Sequence, residues 1–62
     1  MISEHERVVL AIDLPEHGLV SGDIGTVVMV HQGGVGYEVE FVTLDGQTVA
    51  VVSLHASDLR PI

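Results

Sequence analysis

Five short apolar runs, broken by turn residues, account for almost the whole of this 62-residue chain. The clearest is Tyr37-Glu38-Val39-Glu40-Phe41-Val42, where strict alternation predicts a strand with Tyr37, Val39 and Phe41 on its core face and Glu38 and Glu40 in water. Arg7–Ile12 is apolar at nearly every position, which predicts a strand covered on both faces, or on one face plus a partner. Gly25–His31 predicts a strand whose apolar residues do not alternate cleanly, so it carries a bulge or is buried on two sides. Thr48–Leu54 predicts a strand that is apolar on both faces, with Val49, Val51 and Ser53 on one and Ala50, Val52 and Leu54 on the other. The last run, Leu59–Ile62, predicts a short edge strand in which Pro61 blocks further pairing.

The connections carry turn chemistry. Pro15 ends the first strand, because proline removes a ladder donor. The long stretch Asp13–Asp23 predicts a structured excursion, with Leu14, Leu19 and Val20 packed back on the core and Gly18 and Gly22 supplying positive φ angles. Gln32–Gly36 predicts a hairpin tip, and Asp45-Gly46 a tight hairpin between the third and fourth strands. Ser57 and Asp58 are suited to starting a single helical turn before the last strand. Residues 1–6 predict a polar, flexible N-terminus. The pattern as a whole predicts an all-β chain: one domain over residues 1–62, a small five-stranded barrel with a one-turn helix before its last strand.

Composition narrows what such a barrel can do. Twelve valines, six leucines and four isoleucines supply stiff β-forming side chains, while Tyr37 and Phe41 are the only aromatic residues, too few for a ring-lined pocket. There is no cysteine for a disulfide or a thiolate metal site. A chain of this size buries only about 60% of its unfolded surface, so its core is marginal and a partner's surface adds useful burial.

Nine acids face only Arg7 and Arg60, giving a net charge of −7. That balance opposes binding to nucleic acid and to anionic membrane; it reads first as an ordinary solubility device and second as a means of drawing in a basic protein partner. The acidic start of the chain does not read as a secretory signal, no run approaches the length of a membrane-spanning helix, and the expected location is the cytoplasm.

The segments Asp13-Leu14-Pro15-Glu16-His17-Gly18-Leu19, Gly22-Asp23-Ile24-Gly25-Thr26-Val27-Val28, Tyr37–Val42 and Leu59-Arg60-Pro61 resemble the DUF4926 family of short bacterial proteins, over nearly the whole chain. The long first loop, the Gly-Asp-x-Gly turn and the one-turn helix before Leu-Arg-Pro are similar to SH3-like small barrels. The family resemblance implies an SH3-like fold and, because some members resemble partners of toxin-type proteins, a toxin-neutralising role as one version of its function. Looser likenesses to KOW modules and to the barrel of nitrile hydratase β subunits imply RNA binding or an accessory-subunit contact. Asp23, Glu38 and Glu40 stand where KOW modules carry basic residues, which opposes the first.

Candidate chemistry is sparse. The four histidines His5, His17, His31 and His55 lack the close spacing of a zinc site, so neither metal nor cofactor is expected. Glu38 and Glu40 read as a solvated face rather than as an acid–base pair. Ser21 and Ser53 lack an adjacent base, and Gly33-Gly34-Val35-Gly36 lacks the lysine of a phosphate loop. The Asp23 carboxylate is expected to accept backbone N–H bonds within its own turn. No catalytic site and no small-molecule substrate is expected.

What remains is an apolar surface. A barrel this small covers one face of Val49–Leu54, and the other, joined by Val28 or Val42, is either exposed or hidden under the Pro15–Val20 loop. The expected function is therefore that of a non-enzymatic acidic interaction module, associating with itself or with another protein. Its expected contact residues are Leu14, His17, Leu19, Val49, Val51, Val52 and Leu54.

Overall fold

A computed structural model describes residues 2–42 and 46–62. The described residues form five antiparallel strands: β1 Arg7–Leu10, β2 Ile24–His31, β3 Gly36–Val42, β4 Thr48–Leu54 and β5 Leu59–Pro61. They lie in one sheet in the order β4-β3-β2-β1-β5, so β4 and β5 are its edges. Two one-turn 3-10 helices, Pro15–His17 and Ala56–Asp58, complete the described elements. The all-β architecture and the helical turn before the last strand are as the sequence predicts.

The core contains Val8, Leu10, Val27, Tyr37, Val39 and Phe41, with Val52, Leu54 and Leu59 from the two edges. No second layer of structure covers the sheet among the described residues, so such burial requires the sheet to curl over its own inner face. Alternation assigns the faces in β3, where Tyr37, Val39 and Phe41 are buried and Glu38 and Glu40 are half-buried on the outer side. In β2 the register slips between Val27, opposite Val39, and Met29, opposite Glu38. Val28 is the extra residue, so the broken alternation of this strand reflects a bulge.

Gly25 faces the core between Val39 and Phe41, where an added Cβ would sit 2.7 Å from Val39 Cγ1, 2.8 Å from Phe41 Cε1 and 3.0 Å from the Glu40 carbonyl oxygen. The glycine of the Gly-Asp-x-Gly turn is thus required by space rather than by φ. Gly22, in contrast, is needed for its backbone, at φ 102° with open space around it.

Several boundaries and placements differ from the sequence reading. β1 stops at Leu10, before Ala11 and Ile12, and only Val8 and Leu10 are fully buried, because the strand has the sheet's interior on one side. Pro15 begins a 3-10 turn instead of closing the strand, its missing N–H costing nothing at that position. Leu14 and Leu19 pair backbone to backbone and pack inward, but Val20 is 58% exposed because the next residue along from buried Leu19 points away. The last helical turn is capped by His55, whose N–H donates to Asp58 Oδ2 at 3.1 Å, so Asp58 closes the turn from its third position instead of starting it. The expected Asp45-Gly46 hairpin involves Asp45, which lies outside the described residues.

Residues 2–6 are not a flexible arm. Ile2 is buried in the core, the His5 N–H donates to the Val27 carbonyl at 2.6 Å, and the Val27 N–H donates to the Glu6 carbonyl at 2.9 Å. Two residues thus face one, a bulge that requires His5 to adopt φ 71°. A side chain in that region costs about 1–2 kcal/mol, partly offset by the entropy a glycine would lose. His5→Gly is expected to raise stability by about 0.5–1 kcal/mol, read as a thermal midpoint higher by a few degrees. A lower midpoint would show that the His5 side chain contributes more than its backbone costs.

Candidate docking edge

Among the described residues, β4 pairs with β3 on one side and has no strand on the other. The other edge, β5, is three residues long and carries Arg60 and Pro61, both of which discourage pairing. β4 has none of these protections along Ala50–Leu54: apart from Ser53 it is apolar, and it is uncharged and free of proline. Its one irregularity is a register slip next to Phe41 and Val42, which leaves Val49 as an extra residue.

The two faces of β4 separate in the curled sheet. Val52 and Leu54, 9% and 5% exposed, belong to the core, with Ala50 packed against them. Val49 and Val51 are 45% and 52% exposed, so the Pro15–Val20 loop does not hide them. Val49 lines an open groove of about 440 Å³ with Val42, Ile24, Leu19 and Phe41, and with Gly18, Gly22 and Asp23 of the long loop. Val42 and Ile24 are themselves exposed, so the groove is an apolar surface rather than an internal void.

Leu19 and Val49 therefore share a groove wall. Leu19, Val52 and Leu54, expected as contact residues, are instead buried in the chain's own core, since the inner face of β4 and the inward turn of the loop complete that core. Leu14 is half-buried beside it, and His17 is exposed on the 3-10 turn away from the groove lining. Ile24 was missed by the sequence reading. Its signal was present: with Gly25 inward, alternation turns Ile24 outward.

Two carboxylates lean over β4 from β3. Glu38 lies opposite Ser53 and Glu40 opposite Val51. Glu38 Oε2 accepts hydrogen bonds from Ser53 Oγ at 2.5 Å and from His31 Nε2 at 2.9 Å, and Glu40 Oε2 accepts from Thr48 Oγ1 at 2.9 Å. The three groups His31, Glu38 and Ser53 line a second shallow groove of about 240 Å³ with Tyr37, Leu54 and His55. In a serine-hydrolase arrangement the histidine stands between the serine and the acid. Here the glutamate stands between them and accepts from both, so His31 is not placed to take the Ser53 proton.

The hydrogen bond from Ser53, then that from His31, hold the Glu38 carboxyl below the ordinary glutamate range, against a smaller opposing effect of desolvation. Because the folded-state value lies below the unfolded one, this interaction stabilises the fold above the ordinary range, and its contribution disappears as pH falls through the depressed value. Ser53→Ala is expected to move the Glu38 midpoint upward in a carbon-detected NMR titration. An unchanged midpoint would show that the serine hydroxyl does not hold the carboxylate.

Asp23 acts as expected, and Asp13, which the sequence does not single out, joins it. Asp23 Oδ2 accepts from the Val20 N–H at 3.0 Å, and Asp13 Oδ1 from the Ser21 N–H at 2.8 Å, so both carboxylates fasten the loop. Among the described residues no three of histidine, aspartate and glutamate converge as a metal-binding group. No helix among them is long and apolar enough to cross a membrane.

Fold and surface together define a small all-β domain with one blunted edge and one open apolar edge. The chain belongs to the family described as Domain of unknown function (DUF4926), which matches residues 4–61. No curated protein and no solved structure is significantly similar to it.

Proposed function

We propose that this protein is a non-enzymatic acidic interaction module that binds a basic protein partner through the outer side of β4 and the adjoining groove. The observation that carries the reading is the exposed series Ile24, Val42, Val49 and Val51, running from the groove onto an uncharged edge strand. Apolar residues scattered singly need no explanation, but a contiguous strip beside an unprotected edge favours association. The net charge of −7 speeds encounter with a basic protein and opposes nucleic acid, so the RNA-binding alternative has no support in the surface. Neutralising a basic toxin-type enzyme is the most specific version: a compact acidic domain suits steering toward, and covering, a cationic cleft. The cytoplasm, where such an enzyme would act, is the location this reading requires.

The test is affinity capture from lysate of the source cells with wild-type chain and with Val49→Asp and Val51→Asp, whose exposed positions tolerate the change. The expected result is one stoichiometric basic protein held by wild type and lost from both variants. Equal capture by all three baits, or no stoichiometric protein on any of them, would overturn the reading.

A further inference from the structure

We infer that the occupant of the β4 edge is an extended segment of a partner protein that adds to the sheet as a sixth strand, with lysine or arginine at alternate positions. The inference rests on the interaction-module reading and specifies how the contact is made. An edge strand presents unpaired N–H and C=O groups, and an incoming backbone satisfies them regardless of its sequence. Selectivity must then come from the side chains that flank the new strand.

On the outer face the neighbours are fixed by register. A residue beside Val51 has Glu40 one strand further on, and a residue beside Ser53 has Glu38 one strand further on. Both carboxylates lean toward that edge, since each accepts a hydrogen bond from a β4 hydroxyl, of Thr48 and of Ser53. Glu38 and Glu40 are two residues apart on β3, a spacing of about 7 Å. Side chains at alternate positions of an added strand repeat the same spacing. A lysine or arginine beside Val51 lays its aliphatic stem on that exposed valine and carries its charge over to Glu40, the ordinary division of labour in such side chains. The next alternate position reaches Glu38 in the same way. The intervening residues face the inner side, next to half-buried Ala50 and buried Val52, and are therefore apolar. The recognised pattern is basic-apolar-basic in extended conformation. A second copy of this chain is a poor occupant by charge, because its own β4 carries no cation and it brings another −7.

The experiment is an NMR titration of the isotope-labelled full chain with a synthetic peptide of about eight residues in which lysine or arginine alternates with valine. Binding is expected to be saturable, to shift the amides of Ala50–Leu54 most, and to slow their hydrogen exchange. Affinity is expected to fall roughly tenfold in the Glu38→Gln, Glu40→Gln double variant, and to fall on raising salt from about 50 to about 300 mM. A peptide with glutamate at the basic positions, or with proline at its centre, should not bind. These peptide and salt arms decide the matter even if the double variant does not fold.

Equal binding of the acidic peptide, or shifts that avoid β4, would overturn the inference. So would light scattering that shows a dimer with its β4 amides already protected, since the occupant would then be a second copy. Capture of a protein that depends on Val51, without β4 binding of the basic peptide, would overturn strand addition while leaving the module reading in place. Failure of both experiments would remove both.

Discussion

Phe41→Ala is expected to leave the chain unfolded at 25 °C. Phe41 is among the largest fully buried side chains, and it faces Gly25 across the β2–β3 ladder. Truncating a buried phenylalanine to alanine costs about 3–5 kcal/mol, through lost transfer energy and the cavity left behind. A single core in a chain below about 70 residues rarely supplies more than roughly 3–5 kcal/mol. The two magnitudes are equal, so one substitution consumes the whole margin. Circular dichroism and a proton NMR spectrum would show loss of dispersed signals. A cooperative thermal transition close to that of wild type would mean that stability comes from something other than the packing around this ring.

Gly25→Ala has the second largest effect, by the opposite mechanism. The added methyl would meet two fully buried side chains and a backbone carbonyl, all at 3.0 Å or closer. Val39 and Phe41 have no solvent side to retreat to, and moving the Glu40 carbonyl would open the β2–β3 ladder. Overpacking of this kind typically costs about 1–3 kcal/mol, and the lack of any route of escape places this site at the upper end. For a domain of this size that is a fall in thermal midpoint of roughly 10–25 °C. An unchanged midpoint would mean that β2 and β3 separate there without loss.

Much of this was readable from the residues, for a physical reason. Strand β3 was fixed by its own alternation, and the Gln32–Gly36 tip by glycines whose φ values of 69° and 111° at Gly33 and Gly34 only that residue adopts freely. Both are local properties. The outward exposure of Val49 and Val51 was legible only as one of two alternatives, because period-2 alternation separates the faces of a strand but does not say which the rest of the chain will cover. That decision depends on sheet order, which puts β4 at an edge. The same limit explains the misplacement of Val52 and Leu54, apolar residues whose inner position follows from curvature. The docking of Ile2 and the bulge at His5 depend on a carbonyl of β2 more than twenty positions away. Nothing local in a polar, acidic N-terminus announces such a bond. The lean of Glu38 and Glu40 toward β4 was hidden for a related reason, since it required the register that sets Ser53 and Thr48 beside them.

Site-specific photo-crosslinking in the source cells tests the account's central claim most directly. A photoreactive amino acid replaces Val51 on the β4 edge, and in a parallel strain replaces Val35, which is as exposed but lies at the β2–β3 hairpin tip. The account predicts a discrete adduct with a second polypeptide from position 51 and none from position 35. No adduct at position 51, or the same adducts from both positions, would contradict it.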